Sequence, residues 1–265
     1  MEFFATAANI PVHILDSKKG DTTILMLHGY LETMYIWEDM YQELSKDFRV
    51  IIADLPGHVL SCSAPVNSME FIATVCKGIL ELCGVEKVYI AGHSLGGYAA
   101  IRSCIMYPSV FRGLILFNSH PYKESERLTE LRQREIQVIG EGKMMVLADL
   151  SIPKMYCPSN LRRMDEKIRQ TVELCETHDP SGIISSIKGL VAREDTSEYL
   201  SKAPIPVMAV FGADDNLVDT AVQIRFAADC PNVRIECLTE CGHNSIVEYP
   251  TRCCELIRDF TKGNC

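Results

Sequence analysis

The chemistry of this sequence centres on a serine between two glycines, in the stretch Gly92-His93-Ser94-Leu95-Gly96. An apolar run at residues 87–91 precedes it, and a helical pattern at residues 95–107 follows it directly. A serine on such a tight strand-to-helix turn has strained backbone, and glycines two positions away avoid a clash. The start of the helix directs unpaired N–H groups to the place where an oxyanion would form. The pattern predicts a nucleophilic serine; the alternative is a glycine-rich turn with an incidental serine.

A serine hydroxyl becomes a strong nucleophile only when a base takes its proton and a carboxylate orients that base. Both groups follow later in the chain, each after an apolar run. Residues 211–216 read Phe-Gly-Ala-Asp-Asp-Asn, and residues 241–244 read Cys-Gly-His-Asn. The base is therefore predicted to be His243. Adjacent side chains point apart, so only one of Asp214 and Asp215 is expected to reach it, and the two residues by themselves leave the choice open.

The elements that must position these residues are predicted to be strands and helices in alternation. Apolar runs at 22–27, 49–55, 87–91 and 114–117 alternate with amphipathic helical segments at 35–46, 69–83 and 95–107, after an extended pair at 2–5 and 10–16. Such alternation predicts an α/β fold with a mostly parallel central sheet and helices on both faces. His28, Asp54, Ser94 and His120 all lie at the carboxyl ends of predicted strands, so we expect them on one rim of the sheet.

The alternation stops after His120 and resumes near residue 206. Residues 122–201 contain helical, charged segments at 123–139, 161–178 and 183–192, with apolar faces that need a partner. We interpret this stretch as a helical cap, or lid, inserted into one α/β core. The core is then made of residues 1–121 and 202–265.

Composition narrows the class of protein further. With 265 residues, 47% hydrophobic and a net charge of −9, the chain is large enough for a substantial core and too acidic for a nucleic-acid or anionic-membrane surface. The start, Met1-Glu2-Phe3-Phe4, is not a secretory signal pattern, so we predict a cytoplasmic protein. Its twelve cysteines contain no C-x-x-C pair, which favours reduced thiols over disulfides or zinc. No metal and no other cofactor is expected.

Five motifs in order resemble the α/β-hydrolase superfamily, in particular small lidded serine hydrolases such as carboxylesterases, the biotin-pathway esterase and the menaquinone-pathway hydrolase. They are His28-Gly29, Asp54-Leu55-Pro56-Gly57-His58, residues 92–97, Gly212-x-x-Asp215-x-x-Val218, and Gly242-His243 followed by Glu248-x-Pro250. The resemblance covers nearly the whole chain. It implies the α/β-hydrolase fold and a catalytic triad.

The resemblance also assigns roles to individual residues. It favours Asp215 over Asp214, because the acid in that family lies three residues after the glycine. It implies an oxyanion hole made by the backbone N–H groups of Tyr30 and Leu95. The chain departs from the family at Val59, where a second glycine is usual. The loop that carries the acid in some relatives reads Asn118-Ser119-His120 here and has no carboxylate.

The predicted substrate pocket is lined by His28, Tyr30, His120, Met144 and Met155. Alternatives stay open for several of them: His28, like His58, could stabilise its loop, and the methionines could pack the cap onto the sheet. His93 is expected to be a hydrogen-bonding neighbour of the elbow, and His178 a helix-end residue of the cap.

Ser94, Asp215 and His243 together predict a serine hydrolase that acts on a small, largely apolar ester or thioester. The same triad could instead perform C–C bond hydrolysis, perhydrolysis or acyl transfer, and a ligand-binding receptor without catalysis is a third hypothesis. The expected partner is a small-molecule substrate, with no nucleic acid and no membrane. Either a monomer or a homodimer is compatible with the sequence.

Overall fold

The computed structural model of this chain describes residues 1–263, and its centre is one β-sheet. The strands are β1 (Glu2–Ala7), β2 (Ile10–Asp16), β3 (Thr23–Leu27), β4 (Arg49–Ala53), β5 (Val88–His93), β6 (Phe111–Phe117), β7 (Val207–Gly212) and β8 (Arg234–Leu238). Their order across the sheet is β1-β2-β4-β3-β5-β6-β7-β8. Strand β2 is antiparallel to β1 and β4, and the other neighbouring pairs are parallel. The predicted mostly parallel sheet is confirmed.

Helices cover both faces of this sheet. They are α1 (Glu38–Leu44), α2 (Met69–Leu82), α3 (Leu95–Met106), α4 (Glu126–Gly140), α5 (Met144–Ser151), α6 (Leu161–Leu174), α7 (Pro180–Ala192), α8 (Ser197–Ser201), α9 (Thr220–Asp229), α10 (Ser245–Glu248) and α11 (Pro250–Lys262). A 3₁₀ turn, Met34–Trp37, leads into α1. No helix within residues 1–263 is both long enough and apolar enough to cross a bilayer.

Burial on both faces explains why the central strands are apolar at every position. In β3, Leu25 and Leu27 pack in the layer that contains α2 and α3. Ile24 and Met26, which point the other way, pack in the layer that contains α1, α11 and part of the inserted helices. A strand buried on both sides cannot alternate apolar with polar residues. This is the reason that the continuous apolar runs in the sequence predicted the central strands correctly.

The helices α4 to α8 lie between β6 and β7 in the chain, where the helical cap was predicted. Helix α6 buries Met164, Ile168 and Thr171, which are spaced by one helical turn, and exposes charged residues on its other face. Helix α5 was not predicted, because its sequence MMVLADLS is apolar at almost every position and has no helical period. The bounds of the cap as a domain stay a prediction.

One buried carboxylate joins the cap to the loop after β8. Glu248 accepts hydrogen bonds from the amide of Gly242 (2.7 Å), the amide of Cys157 (3.1 Å) and the side chain of Asn160 (2.6 Å). Cys157 and Asn160 lie between α5 and α6, within the predicted cap, whereas Gly242 precedes the predicted base. A carboxylate with several N–H donors is held in one orientation. The loop that carries His243 is therefore tied directly to the cap.

Candidate active site

Strand β5 and helix α3 hold Ser94 on a one-residue turn. Its backbone has φ 48° and ψ −113°, which is strained for a residue with a side chain. A Cβ on Gly92 would overlap the carbonyl of Gly96, and a Cβ on Gly96 would overlap the carbonyl of Leu27. The turn therefore has the strain and the close contacts expected of a nucleophile elbow. The Ser94 residue remains partly exposed.

The imidazole of His243 lies against the carboxylate of Asp215. Its Nδ1 is 2.9 Å from Oδ2 and 3.0 Å from Oδ1 of that carboxylate. An ionised carboxylate can only accept, so Nδ1 carries the proton and Nε2 presents a lone pair. Nε2 is buried and has no hydrogen-bond partner among residues 1–263. His243 thus has the tautomer that a general base requires.

Asp215 is held by three further donors. The amides of Leu217 (2.8 Å) and Val218 (2.9 Å) donate to Oδ1, and the side chain of Asn118 donates to Oδ2 (2.9 Å). Burial favours the neutral acid, but His243 and the hydrogen bonds outweigh it and lower the pKa of Asp215. The carboxylate stays ionised and correctly placed to orient His243.

The structure brings Asp215, and not Asp214, to His243. Asp214 is exposed, and its side-chain carboxylate accepts only from the Cys157 thiol at 3.6 Å within residues 1–263. Sequence reasoning missed the part of Asn118, which also donates to the carbonyl of Gly242 (3.1 Å). The available signal was its place at the end of β6, on the rim where the other groups were expected.

Two backbone amides next to the elbow are free to bind an oxyanion. Neither Tyr30 N–H nor Leu95 N–H donates a hydrogen bond within the described part of the chain. The neighbouring amide of Gly29, in contrast, donates to Oε2 of the buried Glu32 at 2.6 Å. Tyr30 and Leu95 are the two positions that the sequence predicted for this role, which stays a prediction.

A buried ion pair lies directly beneath these groups. His93 Nδ1 donates to Oε2 of Glu32 (2.9 Å), and His93 Nε2 donates to the carbonyl of His243 (2.8 Å). Burial opposes charge on both side chains, yet their mutual attraction lowers the pKa of Glu32 and raises that of His93. The pair connects the loop after β3, the elbow and the loop of the base. Glu32 was missed in the sequence, although a lone Glu after His28-Gly29 in a buried segment was the visible signal.

The ring of His28 has no nitrogen left for a substrate. Its Nδ1 donates to the carbonyl of Gly29 (2.8 Å), and its Nε2 accepts from the amide of Leu55 (2.8 Å). These bonds fit the alternative that His28 stabilises its loop. His58 packs edge-on against His28, with 4.9 Å between the ring centres. His178 packs edge-on against His58, with 5.3 Å between the ring centres.

His120 lies near the catalytic residues, as expected of a residue on the rim. Its Nδ1 accepts from the amide of Tyr122 (3.2 Å), so Nε2 carries the proton and faces the Tyr98 hydroxyl at 3.3 Å. Burial, and then the charges of Arg193 and His243, lower the pKa of His120 to about 3. The ring is therefore neutral, and its N–H points to the Tyr98 hydroxyl.

The two methionines proposed for the pocket are buried between cap and sheet. Met144 and Met155 belong to the same apolar cluster as α1 and α11. The carbonyl of Met155 also accepts the amide hydrogen of Asn244, next to the base (3.0 Å). This burial fits the packing alternative. Contact with a substrate stays a prediction for both.

No arrangement for a metal is found among residues 1–263, where no three His, Cys, Asp or Glu side chains are grouped to hold an ion. The eleven cysteines in the same range are free thiols. Burial raises the pKa of several of them, including Cys76 and Cys175 to about 12. Such thiols are protonated and behave as small apolar groups.

Comparison with known proteins agrees with this geometry. The family described as alpha/beta hydrolase fold matches residues 22–144, from β3 past the elbow and into the first cap helices. The chain has the α/β-hydrolase fold. It is 24% identical to the 2-hydroxy-6-oxononadienedioate/2-hydroxy-6-oxononatrienedioate hydrolase of Paraburkholderia phymatum, over 94% of this chain and 90% of that protein.

Solved structures with the same α/β-hydrolase fold extend over the whole chain. A malate-bound thermophilic esterase from Thermogutta terrifontis has a TM-score of 0.92 and 24% identity, with 99% of this chain and 98% of that chain covered. The enol-lactonase from Burkholderia xenovorans LB400 has a TM-score of 0.89 and 18% identity, with 98% and 100% covered. At these identities the likeness shows the fold, and the predicted fold class is confirmed.

Proposed function

We propose that this protein is a serine hydrolase that cleaves a small ester or thioester through an acyl-enzyme on Ser94. The observation that carries the proposal is the state of His243. Its proton lies on the nitrogen that faces Asp215, so the other nitrogen is free to accept a proton. A receptor that had lost catalysis would have no need for this tautomer, nor for the strained backbone of Ser94.

In the first half of the reaction, Ser94 Oγ attacks the substrate carbonyl as His243 Nε2 takes its proton. Asp215 stabilises the imidazolium that forms. The amides of Tyr30 and Leu95 bind the oxyanion, and each such donor contributes about 3 to 4 kcal/mol to the transition state where it has been tested. His243 then gives the proton to the leaving alcohol or thiol.

In the second half, water attacks the acyl-enzyme while the same nitrogen of His243 removes its proton. Collapse of the intermediate releases the carboxylic acid and returns the proton to Ser94. Asp215 stays ionised throughout, consistent with the lowered pKa that its donors cause. The Glu32–His93 pair holds the carbonyl of His243 and so fixes the loop that carries the base.

C–C bond hydrolysis is the second candidate, and the names of the relatives favour it at least as strongly. The Paraburkholderia phymatum protein is a 2-hydroxy-6-oxononadienedioate hydrolase, and a Burkholderia cepacia relative, 23% identical, is a 2-hydroxy-6-oxo-6-phenylhexa-2,4-dienoate hydrolase. The same triad serves this reaction, because a ketone carbonyl is attacked as an ester carbonyl is. His243 would then protonate a carbon leaving group instead of an oxygen.

A direct comparison of the two substrate types tests the proposal. The purified protein is given p-nitrophenyl esters of two to eight acyl carbons and, separately, a 2-hydroxy-6-oxo-2,4-dienoate. Ester turnover that disappears in Ser94→Ala supports the leading function. Turnover of the dienoate alone would replace it by C–C hydrolysis. Turnover of neither, with Ser94→Ala indistinguishable from wild type, would contradict both.

We also propose a cytoplasmic location, on the ground that the eleven cysteines within residues 1–263 are free thiols, which suits a reducing compartment. Either a monomer or a homodimer remains our proposal for the assembly. Sedimentation at micromolar concentration distinguishes the two.

A further inference from the structure

Two arginines of the cap region lie on the two tyrosines that flank the nucleophile. The guanidinium of Arg132, in α4, is 4.9 Å from the centre of the Tyr30 ring. The guanidinium of Arg193, just after α7, is 4.2 Å from the centre of the Tyr98 ring. Tyr30 supplies a proposed oxyanion amide, and the amide of Tyr98 donates to the carbonyl of Ser94 (3.2 Å). Both cations therefore pack on residues whose backbone amides have a proposed or observed contact at the nucleophile turn.

Arg193 has no nitrogen left for a ligand. Its Nε donates to the carbonyl of Tyr122 (3.1 Å), and its Nη1 donates to Glu124 (2.7 Å) and to the carbonyl of Leu190 (2.9 Å). Its Nη2 donates to the other oxygen of Glu124 (3.2 Å). This is a two-pronged, buried ion pair that holds the end of α7 against the segment before α4.

Arg132 is different, because most of its donors are unused. Within residues 1–263, its one hydrogen bond runs from Nη1 to Glu135, at 2.8 Å. Its Nε is buried without a hydrogen bond, and the Glu124 oxygen 3.9 Å from it is already bound by Arg193. The Arg132 side chain is 18% exposed, and its buried Nε has lost its hydration without gaining a partner, a cost that a nearby anion can offset. The planar fork of Arg matches a carboxylate.

Glu135 occupies the position that such an anion would take. It lies on the same helix three residues after Arg132, and its side chain is 20% exposed. Arg132 and Glu135 are both partly exposed, so water can reach the pair and solvate Glu135 if it leaves. An incoming carboxylate can therefore replace Glu135, which turns toward solvent.

We propose that Arg132 binds a carboxylate at the far end of the acyl chain, so that the preferred substrates are esters or ketones of dicarboxylic or oxo acids. The inference rests on the proposed function. Arg132 covers the ring of the same Tyr30 whose amide would hold the oxyanion, so the carboxylate and the scissile carbonyl are recognised a few carbons apart.

The test uses two esters of equal length and different charge, p-nitrophenyl hydrogen glutarate and its neutral methyl ester. We expect wild type to prefer the anionic ester in kcat/KM. Arg132→Gln should reverse the preference. Its kcat/KM should fall at least about tenfold more for the anionic ester than for the neutral ester, mainly through a higher KM. Glu135→Gln should increase the preference, because it frees the fork. Arg134→Gln, an exposed arginine on the same helix, is the matched control and should change neither rate.

An equal loss of kcat/KM for both esters in Arg132→Gln would mean that the arginine is structural and would overturn the inference. An unchanged preference between the two esters in Glu135→Gln would overturn it as well. Hydrolysis of the neutral ester without preference leaves the proposed function standing and removes this inference alone. A readout without turnover is the rise in melting temperature caused by glutarate. It is expected in wild type and larger in Glu135→Gln, and its absence in both would also overturn the inference.

Discussion

At the scale of single residues, the proposed chemistry depends on which nitrogen of His243 carries the proton. Asp215 fixes it on Nδ1, because its two oxygens lie 2.9 and 3.0 Å away and cannot donate. Without that carboxylate, the imidazole is free to turn its N–H toward Ser94, where a base must have a lone pair. Orientation of the ring and stabilisation of its cation are lost together.

Asp215→Asn should therefore lower kcat by about 10³- to 10⁴-fold, in line with the loss of the corresponding aspartate in serine proteases. Asp214→Asn is the matched control, since its side chain is exposed and does not touch His243. Its kcat should stay within about threefold of wild type. Steady-state hydrolysis of a p-nitrophenyl ester measures both. The assignment is wrong if the larger loss occurs in Asp214→Asn.

The sequence was sufficient for the residues that carry local patterns and insufficient for those that act through distant contacts. Ser94 and His243 each lie in a short motif after a strand. Glu32 contacts His93 across 61 positions of the chain, and Asn118 contacts Asp215 across 97. No spacing rule links such pairs, because their proximity is created by the order of the strands in the sheet.

At the scale of elements, the loop after β4 holds the strongest local conflict between sequence and conformation. Val59 has φ 47°, a region that suits glycine and is unfavourable for a β-branched residue. Its amide donates to Nδ1 of His178 in the cap, at 3.0 Å. The departure from the family pattern noted in the sequence thus coincides with real backbone strain, stabilised by a cap contact.

Val59→Gly should cost little, although it removes a half-buried side chain. Relief of the strain is worth roughly 1 to 3 kcal/mol and offsets the flexibility that glycine adds to the unfolded chain. We expect a free energy of unfolding within about 0.5 kcal/mol of wild type, or above it. Val85→Gly is the control: also half-buried, but with ordinary backbone angles, it should lose about 1 to 2 kcal/mol. Chemical denaturation compares the two. Equal losses would mean that Val59 is unstrained in solution.

The elements themselves were largely predictable, since the apolar runs and helical periods are local properties. The β6 strand begins at Phe111, three residues before its predicted start. The prediction started too late because the exposed Arg112 interrupts the apolar run. Helix α5 was missed because it has no periodic polar face. The attachment of the cap through Glu248 could not be predicted, since a buried carboxylate looks like any surface Glu in the sequence.

At the scale of the whole molecule, neutral buried histidines make the fold sensitive to acid. Burial lowers the pKa of His28 and His58, of His178 to about 4, and of His120 to about 3. The unfolded chain binds protons at these sites below about pH 6.5, and the folded chain does not. The contribution of these histidines to the free energy of unfolding is therefore fully present above pH 6.5 and is lost as the pH decreases toward 4. His93, whose pKa is raised, opposes this trend as a single group.

We expect the free energy of unfolding to fall by several kcal/mol between pH 7 and pH 5, at roughly 1 kcal/mol per pH unit for each such histidine. Urea denaturation at pH 7, 6 and 5 measures the slope. In His178→Gln the decrease in the free energy of unfolding per pH unit should be smaller by the contribution of one histidine, roughly 1 kcal/mol. A slope that is unchanged by this substitution would mean that His178 takes up a proton in the folded protein.

Ser94 is the proposed nucleophile of this protein, and covalent labelling tests that assignment most directly. The purified protein is incubated with a fluorophosphonate, and the modified peptide is identified by mass spectrometry. We predict one adduct on Ser94 in wild type, none in Ser94→Ala, and labelling slowed by several orders of magnitude in His243→Ala. An unlabelled wild type, or an adduct on another residue, would contradict the assignment of the nucleophile and the proposed function with it.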